Sequence, residues 1–289
     1  MIAAGFIAVD WGTTHRRAWH VAGGAAVPLL NDDRGILDIA DFPAAVAEVR
    51  ALAPGEAVLM AGMIGANRGW RDVPYVSAPA TLAMVAAGVV WVESDIGIVP
   101  GVSFVDAAHA DIMRGEEVQL LGACAAAAVE CDGLVCHPGT HTKWVEMESG
   151  AIARFRTVMT GDVFAALAHR SILSDLLAYD APVDDSFLAG VDHGLANADL
   201  TAELFAARTR VVLGKAAAAH AASYVSGLLI GSDVRIGLGR LRADVVPVLG
   251  APGLTARFAA ALTQAGRIAV QHDGDAAFIA GMIAIAAAL

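Results

Sequence analysis

Asp10 closes an apolar run, Phe6-Ile7-Ala8-Val9, and is followed by Gly12, Thr13, Thr14 and Arg16. A carboxylate at the end of a buried strand can hold Mg²⁺ through its water shell. A glycine beside two threonines lets backbone N–H and hydroxyl groups close on phosphate oxygens. The same order returns at Cys136-His137-Pro138-Gly139-Thr140-His141-Thr142-Lys143, again after an apolar run, Leu134-Val135. His137 stands where the first copy has Asp10, so only the first copy carries a carboxylate. Two such hairpins facing one another could clasp a polyphosphate, with Gly12, Thr13, Thr14 and Arg16 in one and Gly139, Thr140, His141, Thr142 and Lys143 in the other. The competing reading is a pair of ordinary hairpins whose glycines serve turn geometry alone and whose cations are solvated.

The elements that must position these residues follow from periodicity. Strands are expected near 5–11, 15–21 and 26–31, a helix near 41–52 after Asp41, a strand at 58–60, a helix near 79–88 and a strand near 96–99. Residues 114–130 are good helix formers and read as a bridge between two lobes. The second lobe repeats the order, with strands near 133–137, 142–147 and 151–157 and helical segments at 162–178 and about 199–227. A buried strand at 245–249, a helix to about 264, a strand at 267–271 and a last helix from 274 complete it. Two α/β domains with mixed sheets result, divided at 115/116, with the bridging and final helices counted in the second.

Composition narrows the class. The chain of 289 residues can bury a sizeable core. Its mean hydropathy is high at +0.59, but much of this is alanine, and no stretch supplies the roughly 20 strongly apolar residues of a spanning helix. A membrane role is therefore not expected, and the apolar start runs into Asp10 as a strand would, without the basic residues of a signal peptide. A cytoplasmic protein is expected. The net charge of -11 disfavours nucleic acid as a partner, but it does not exclude small anions bound by local donors. A homodimer is left open. Cys124, Cys131 and Cys136 lack paired metal-site spacing and read as separate thiols.

Four strings carry a resemblance to a known family: Ala61-Gly62-Met63-Ile64-Gly65 with Gly69-Trp70 and Pro74-Tyr75; Arg114-Gly115-Glu116-Glu117-Val118-Gln119-Leu120-Leu121-Gly122; Pro138-Gly139-Thr140-His141-Thr142-Lys143-Trp144; and Met159-Thr160-Gly161-Asp162-Val163-Phe164. The chain resembles the 2-dehydro-3-deoxygalactonokinases within the actin-like ATPase superfamily of sugar kinases. That resemblance implies two actin-like (ribonuclease H-like) domains with mixed five-stranded sheets flanking a nucleotide cleft. It also implies ATP and Mg²⁺ as cofactors and a small sugar acid as substrate, phosphorylated on its 6-hydroxyl in galactonate catabolism. The adenosine turn falls at Gly250 and Gly253, in Leu249-Gly250-Ala251-Pro252-Gly253 rather than in consecutive glycines.

Phosphoryl transfer needs alignment, charge neutralisation and a carboxylate that orients the attacking hydroxyl. Glu116, at the start of the bridging helix, matches the acidic residue of related kinases, and Glu117 stands beside it. The bland reading is a carboxylate that complements the helix dipole. Asp10 is assigned to the metal and to catalysis. The stretch from Met63, Ile64 and Gly65 through Arg68, Trp70, Arg71 and Tyr75 suits an acidic sugar, since it offers aromatic faces for the carbon chain and a guanidinium for the carboxylate. Its alternative is a solvent loop with a packing Trp. A kinase for another sugar or sugar acid, and a non-kinase ATP-binding switch, are the competing functions.

Overall fold

The computed structural model describes residues 5–239, 241 and 243–289. They form two compact units, one of residues up to Asp132 with Met147–Phe155 and Gly274–Leu289, the other of Gly133–Glu146 with Arg156–Asp273.

In the first unit β1 (Gly5–Trp11), β2 (Arg16–Ala22) and β3 (Ala25–Asp32) form an antiparallel meander. The run of apolar residues in β1 is buried, and β1 lies inside the sheet with its edges paired to β2, antiparallel, and β4 (Ala57–Gly62), parallel. Between meander and β4 comes α1 (Phe42–Arg50), which starts where Asp41 accepts the Ala44 N–H at 3.0 Å. Ala45, Val46 and Val49 recur at helical spacing and face the core. The short strand β5 (Val76–Ser77), helix α2 (Leu82–Ala87) and strands β6 (Val90–Glu93), β7 (Ile96–Ile98), β8 (Val102–Val105) and β9 (Ala110–Met113) lead to α3 (Glu116–Ala125). The main sheet has the order β3-β2-β1-β4-β7-β6, and β5, β8 and β9 form a separate small sheet.

The chain then repeats the meander as β10 (Gly133–His137), β11 (Thr142–Glu148) and β12 (Ala151–Val158), of which Met147–Phe155 counts with the first unit. It continues through α4 (Thr160–Arg170), α5 (Asp185–Ala196), α6 (Leu200–Val212) and α7 (Ala221–Leu238) to β13 (Val245–Gly250), α8 (Pro252–Gln264) and β14 (Ile268–Asp273). The sheet order β12-β11-β10-β13-β14 reproduces β3-β2-β1-β4-β7, so the internal duplication read from the two glycine turns is a duplication of topology. The last helix is α9 (Gly274–Ala288). No helix among the described residues is long and apolar enough to cross a membrane.

Several expectations are corrected. The first sheet has six strands where five were expected, because β6 adds an antiparallel edge to β7. The division does not fall at 115/116, since α3 and α9 both belong to the first unit. Their backbones touch at paired glycines: a Cβ on Gly122 would strike Ala277 and Gly281, and one on Gly281 would strike Val118. The helical segment at 199–227 is two helices, and α5 was not anticipated, because Gly190 and Gly194 depress helix propensity. Those glycines instead let α5 lie against the backbone of α7 at Tyr224 and Leu228. Cys124 and Cys131 are joined in a disulfide with Cα atoms 5.2 Å apart, and only Cys136 is a free thiol.

Candidate active site

Asp10 sits at the end of β1, directly opposite Arg17 in the ladder. Opposed residues of an antiparallel pair share a face, and the next pair, Trp11 and Arg16, must take the other. The Arg17 guanidinium donates to Asp10 at 2.5 Å and also pairs with Asp275 at the start of α9. Arg16, expected at the phosphates, instead lies over the Trp11 ring at 4.9 Å, with its guanidinium held by Asp32 at 2.8 Å and by the Ala45 carbonyl at 3.3 Å. It is 2% exposed, so its charge serves the fold, and Arg17 is the cation that strand alternation turns toward Asp10. The two arginines are alike in the sequence, and only the pairing register decides which of them faces the carboxylate.

The Asp10 carboxyl titrates above its ordinary range. Burial is the main cause, Arg17 opposes it, and the charges of Asp275 and Glu116 add to it. Three acidic groups and one guanidinium therefore share this end of the sheet. Gly62, at the end of β4 with φ +93°, closes the floor, since a Cβ there would come within 2.8 Å of the Trp11 carbonyl and 3.4 Å of Asp10 Oδ1. Gly115, with φ +110°, brings the start of α3 alongside, its added Cβ falling 3.3 Å from Gly62 Cα.

Glu116 and Glu117 part company at this helix start. Glu116 is half-buried and accepts the Arg114 N–H at 2.9 Å. Glu117 is fully buried, and its carboxyl folds back on the Gly115 N–H at 2.7 Å. Burial first, then the neighbouring charge of Glu116, pushes Glu117 up to about 8. Of the two, Glu116 is the carboxylate that lies within electrostatic reach of Asp10.

Around the first glycine turn, Thr13 and Thr14 are exposed, and the Gly12 and Thr13 carbonyls accept from Ile36 and Leu37. In the second unit Gly139, Thr140 and His141 form the corresponding turn, braced by the Asp162 N–H donating to the Thr140 carbonyl at 3.0 Å. Thr142 and Lys143 are buried in β11, against the expectation that both reach a phosphate: Thr142 lies beside Asp233, and Lys143 Nζ donates to Thr157 at 2.8 Å. Asp233, unnoticed in the sequence, is buried under this turn and accepts from Trp144 Nε1 at 2.6 Å and Thr160 Oγ1 at 2.5 Å. Desolvation raises it to about 6.

Gly139, Thr160 and Gly161 help line a cavity of about 280 Å³, together with Leu254, Arg257 and Phe258 of α8. Gly250 ends β13 near the Pro138 carbonyl, whereas Gly253 stands exposed in the first turn of α8, where an added Cβ would meet open space.

The stretch from Met63 to Tyr75 closes on itself through Trp70 and Val73 N–H groups donating to the Ile64 and Gly65 carbonyls. Ile64 and Gly65 are buried and shape the turn without offering it side chains, while Met63 and Trp70 pack on the core of the first unit. Arg68 and Arg71 are exposed, and neither pairs with a carboxylate among the described residues. Tyr75 is half-buried under Arg114, whose guanidinium carbon lies 4.2 Å from the ring centre. The order Arg114-Gly115-Glu116 thus joins this loop to the acidic end of the sheet.

The sequence matches the family described as 2-keto-3-deoxy-galactonokinase over residues 10–285. The chain belongs to that family. It is 36% identical to the 2-dehydro-3-deoxygalactonokinase of Escherichia coli (strain K12), an alignment covering 100% of this chain and 99% of that protein. The crystal structure of a protein of the same description from Sinorhizobium meliloti superposes with a TM-score of 0.89 at 34% identity, covering 97% and 98% of the two chains. At the level of fold alone, the activator of the 2-hydroxyisocaproyl-CoA dehydratase from Clostridium difficile, solved with bound ADPNP, matches with a TM-score of 0.50 at 12% identity, covering 98% of this chain and 95% of that one. The actin-like architecture that the family resemblance implied is therefore the fold of this family member, and its activity is that of a phosphotransferase.

Proposed function

We propose that this chain transfers the γ-phosphoryl group of ATP to the terminal 6-hydroxyl of 2-dehydro-3-deoxy-D-galactonate, with Mg²⁺ as counter-ion. Family membership over nearly the whole chain carries the reaction class. The single structural observation behind the chemistry is the half-buried Glu116 carboxylate held at the start of α3, within electrostatic reach of Asp10.

The transition state of phosphoryl transfer is loose, so the protein contributes position and charge. Glu116 accepts or orients the proton of the 6-hydroxyl, a role typically worth about 10²–10⁴-fold. Its bond from the Arg114 N–H fixes the carboxylate at the start of the helix. The donor set at the end of β1 fits magnesium, which binds through one or two carboxylates and substrate phosphates while keeping several waters. Asp10 is the residue that would hold it, and the metal supplies neutralisation of the phosphoryl charge. Arg17, already bound to two carboxylates, turns one donor to a phosphate oxygen without leaving Asp10. In the second unit, the Gly139 and Thr140 N–H groups contact phosphate, and adenosine occupies the cavity lined by Thr160, Leu254 and Arg257. Gly250 keeps the approach open to backbone contact.

We place the enzyme in the cytoplasm, as suits a catabolic kinase of this family. The decisive experiment is a substrate panel of keto-deoxy sugar acids, aldonic acids and neutral sugars with ADP release as readout. Turnover confined to 2-dehydro-3-deoxy-D-galactonate, dependent on Mg²⁺, is expected. A preference for a neutral sugar would overturn the substrate assignment, and nucleotide binding without turnover on any acceptor would favour a switch.

A further inference from the structure

Arg114 is 8% exposed, and only part of its guanidinium is satisfied. Nη2 donates to the Val73 carbonyl at 2.7 Å, while Nε and Nη1 are sealed from solvent with no acceptor. Gly65 makes this burial possible, because a Cβ there would stand 2.9 Å from Nη1 and 3.0 Å from Ile98 Cγ2. A buried cation with unmet donors is costly unless an anion meets it. Glu117 is a buried carboxyl that feels this charge, but burial and Glu116 push it up to about 8, so it is mostly neutral at pH 7. The guanidinium is thus uncompensated on that side, beside the aromatic ring of Tyr75.

We infer that Arg114, and not Arg68 or Arg71, binds the C1 carboxylate of the keto-deoxy sugar acid, its Nε and Nη1 donating to the carboxylate oxygens while Tyr75 flanks the carbon chain. This deepens, and rests on, the sugar-acid kinase reading above. Exposed guanidinium groups such as those of Arg68 and Arg71 gain little from an ion pair in water. A desolvated fork gains more and discriminates by shape as well as charge. Both donors are sealed in this structure, so entry of the carboxylate requires the Tyr75 ring or the Met63–Gly65 turn to move aside. Arg114 also presents its own N–H to Glu116, so one backbone segment reads the acid end of the substrate and holds the group that activates the hydroxyl end.

The test compares 2-dehydro-3-deoxy-D-galactonate with its C1 primary amide, which keeps the carbon chain and the 6-hydroxyl and lacks the charge. Arg114→Met is expected to lower kcat/KM for the acid about 10- to 100-fold while changing the amide little, the size of a lost charge-assisted hydrogen bond. Arg114→Lys keeps the charge without the fork and falls between. The double variant Arg68→Ala, Arg71→Ala keeps the preference for acid over amide. Should Arg114→Met fail to fold, the rise in melting temperature on adding the acid alone decides, expected in the wild type and much reduced in Arg114→Lys. Equal losses for acid and amide in the Arg114 variants, or loss of the preference in the Arg68/Arg71 double variant, overturn the inference. A wild type that phosphorylates no keto-deoxy acid overturns the parent reading with it. A wild type that prefers acid to amide regardless of Arg114 overturns this inference alone.

Discussion

Two adjacent glutamates at the start of α3 should respond to the same substitution in opposite ways. Glu117 is fully buried and titrates at about 8, against 4.5 for the ordinary group. Between those values the folded protein holds a proton that the unfolded chain has released. Stability therefore falls as pH rises, by about 1.4 kcal/mol per pH unit for this group. Glu117→Gln replaces a neutral carboxyl by a neutral amide of the same shape, whose carbonyl still accepts the Gly115 N–H. The variant should match the wild type near pH 4, where the carboxyl is neutral in both states, and gain on it by about 1 kcal/mol at pH 5.5 and about 4 kcal/mol by pH 7.5. Other titrating groups, Asp233 and Asp10 among them, are common to both proteins and cancel in the difference. The assay is urea unfolding of both proteins at half-unit pH steps, with turnover measured alongside. Glu116→Gln, by contrast, removes a partly exposed carboxylate that works on the substrate. It should leave stability within about 0.5 kcal/mol and lower kcat by about 10²–10⁴-fold. A stability difference between wild type and Glu117→Gln that stays flat with pH would refute the buried neutral carboxyl. A greater loss of kcat in folded Glu117→Gln than in Glu116→Gln would move the base one residue along.

Asp10→Asn should cost about 100- to 1,000-fold in kcat and melt no lower than the wild type, because an amide avoids the penalty that burial, Asp275 and Glu116 place on the charge; normal turnover at limiting Mg²⁺ would remove Asp10 from the metal. Arg16→Ala should cost about 3 kcal/mol of stability by stranding Asp32 and emptying the space over Trp11, and whatever protein remains folded should keep its KM for ATP. A raised KM with unchanged stability would return Arg16 to the phosphates.

The two glycine turns were legible because their chemistry is local: a buried run, a carboxylate or its replacement, then Gly-Thr. The meanders followed from alternation. What sequence could not settle was decided by register and by distant contacts. Arg16 and Arg17 are chemically equal in a string, and only the pairing of Asp10 with Arg17 separates the structural cation from the site cation. Thr142 and Lys143 follow the second turn as phosphate ligands would, yet β11 is buried on both sides there. Arg114 belonged to one of the strings that carry the family resemblance, but its importance lies in burial against Val73, Tyr75 and Gly65, which no spacing announces. Helix α5 was missed because glycine weakens a helix in isolation while enabling the tight contact that holds it in place.

The glycine contact between α3 and α9 has a consequence for how charge is arranged at their ends. Glu116 begins one helix and Asp275 lies in the first turn of the other. Where helices meet through side chains, rotamer changes give their axes some play. Here Gly122 and Gly281 set main chain on main chain, and even a single methyl group has no room. The spacing of these two negative charges is thus inherited from covalent geometry, as in a rigid truss. Variation elsewhere in the core can retune stability without detuning the field at Asp10, whereas Gly122→Ala would splay the truss and shift both charges at once.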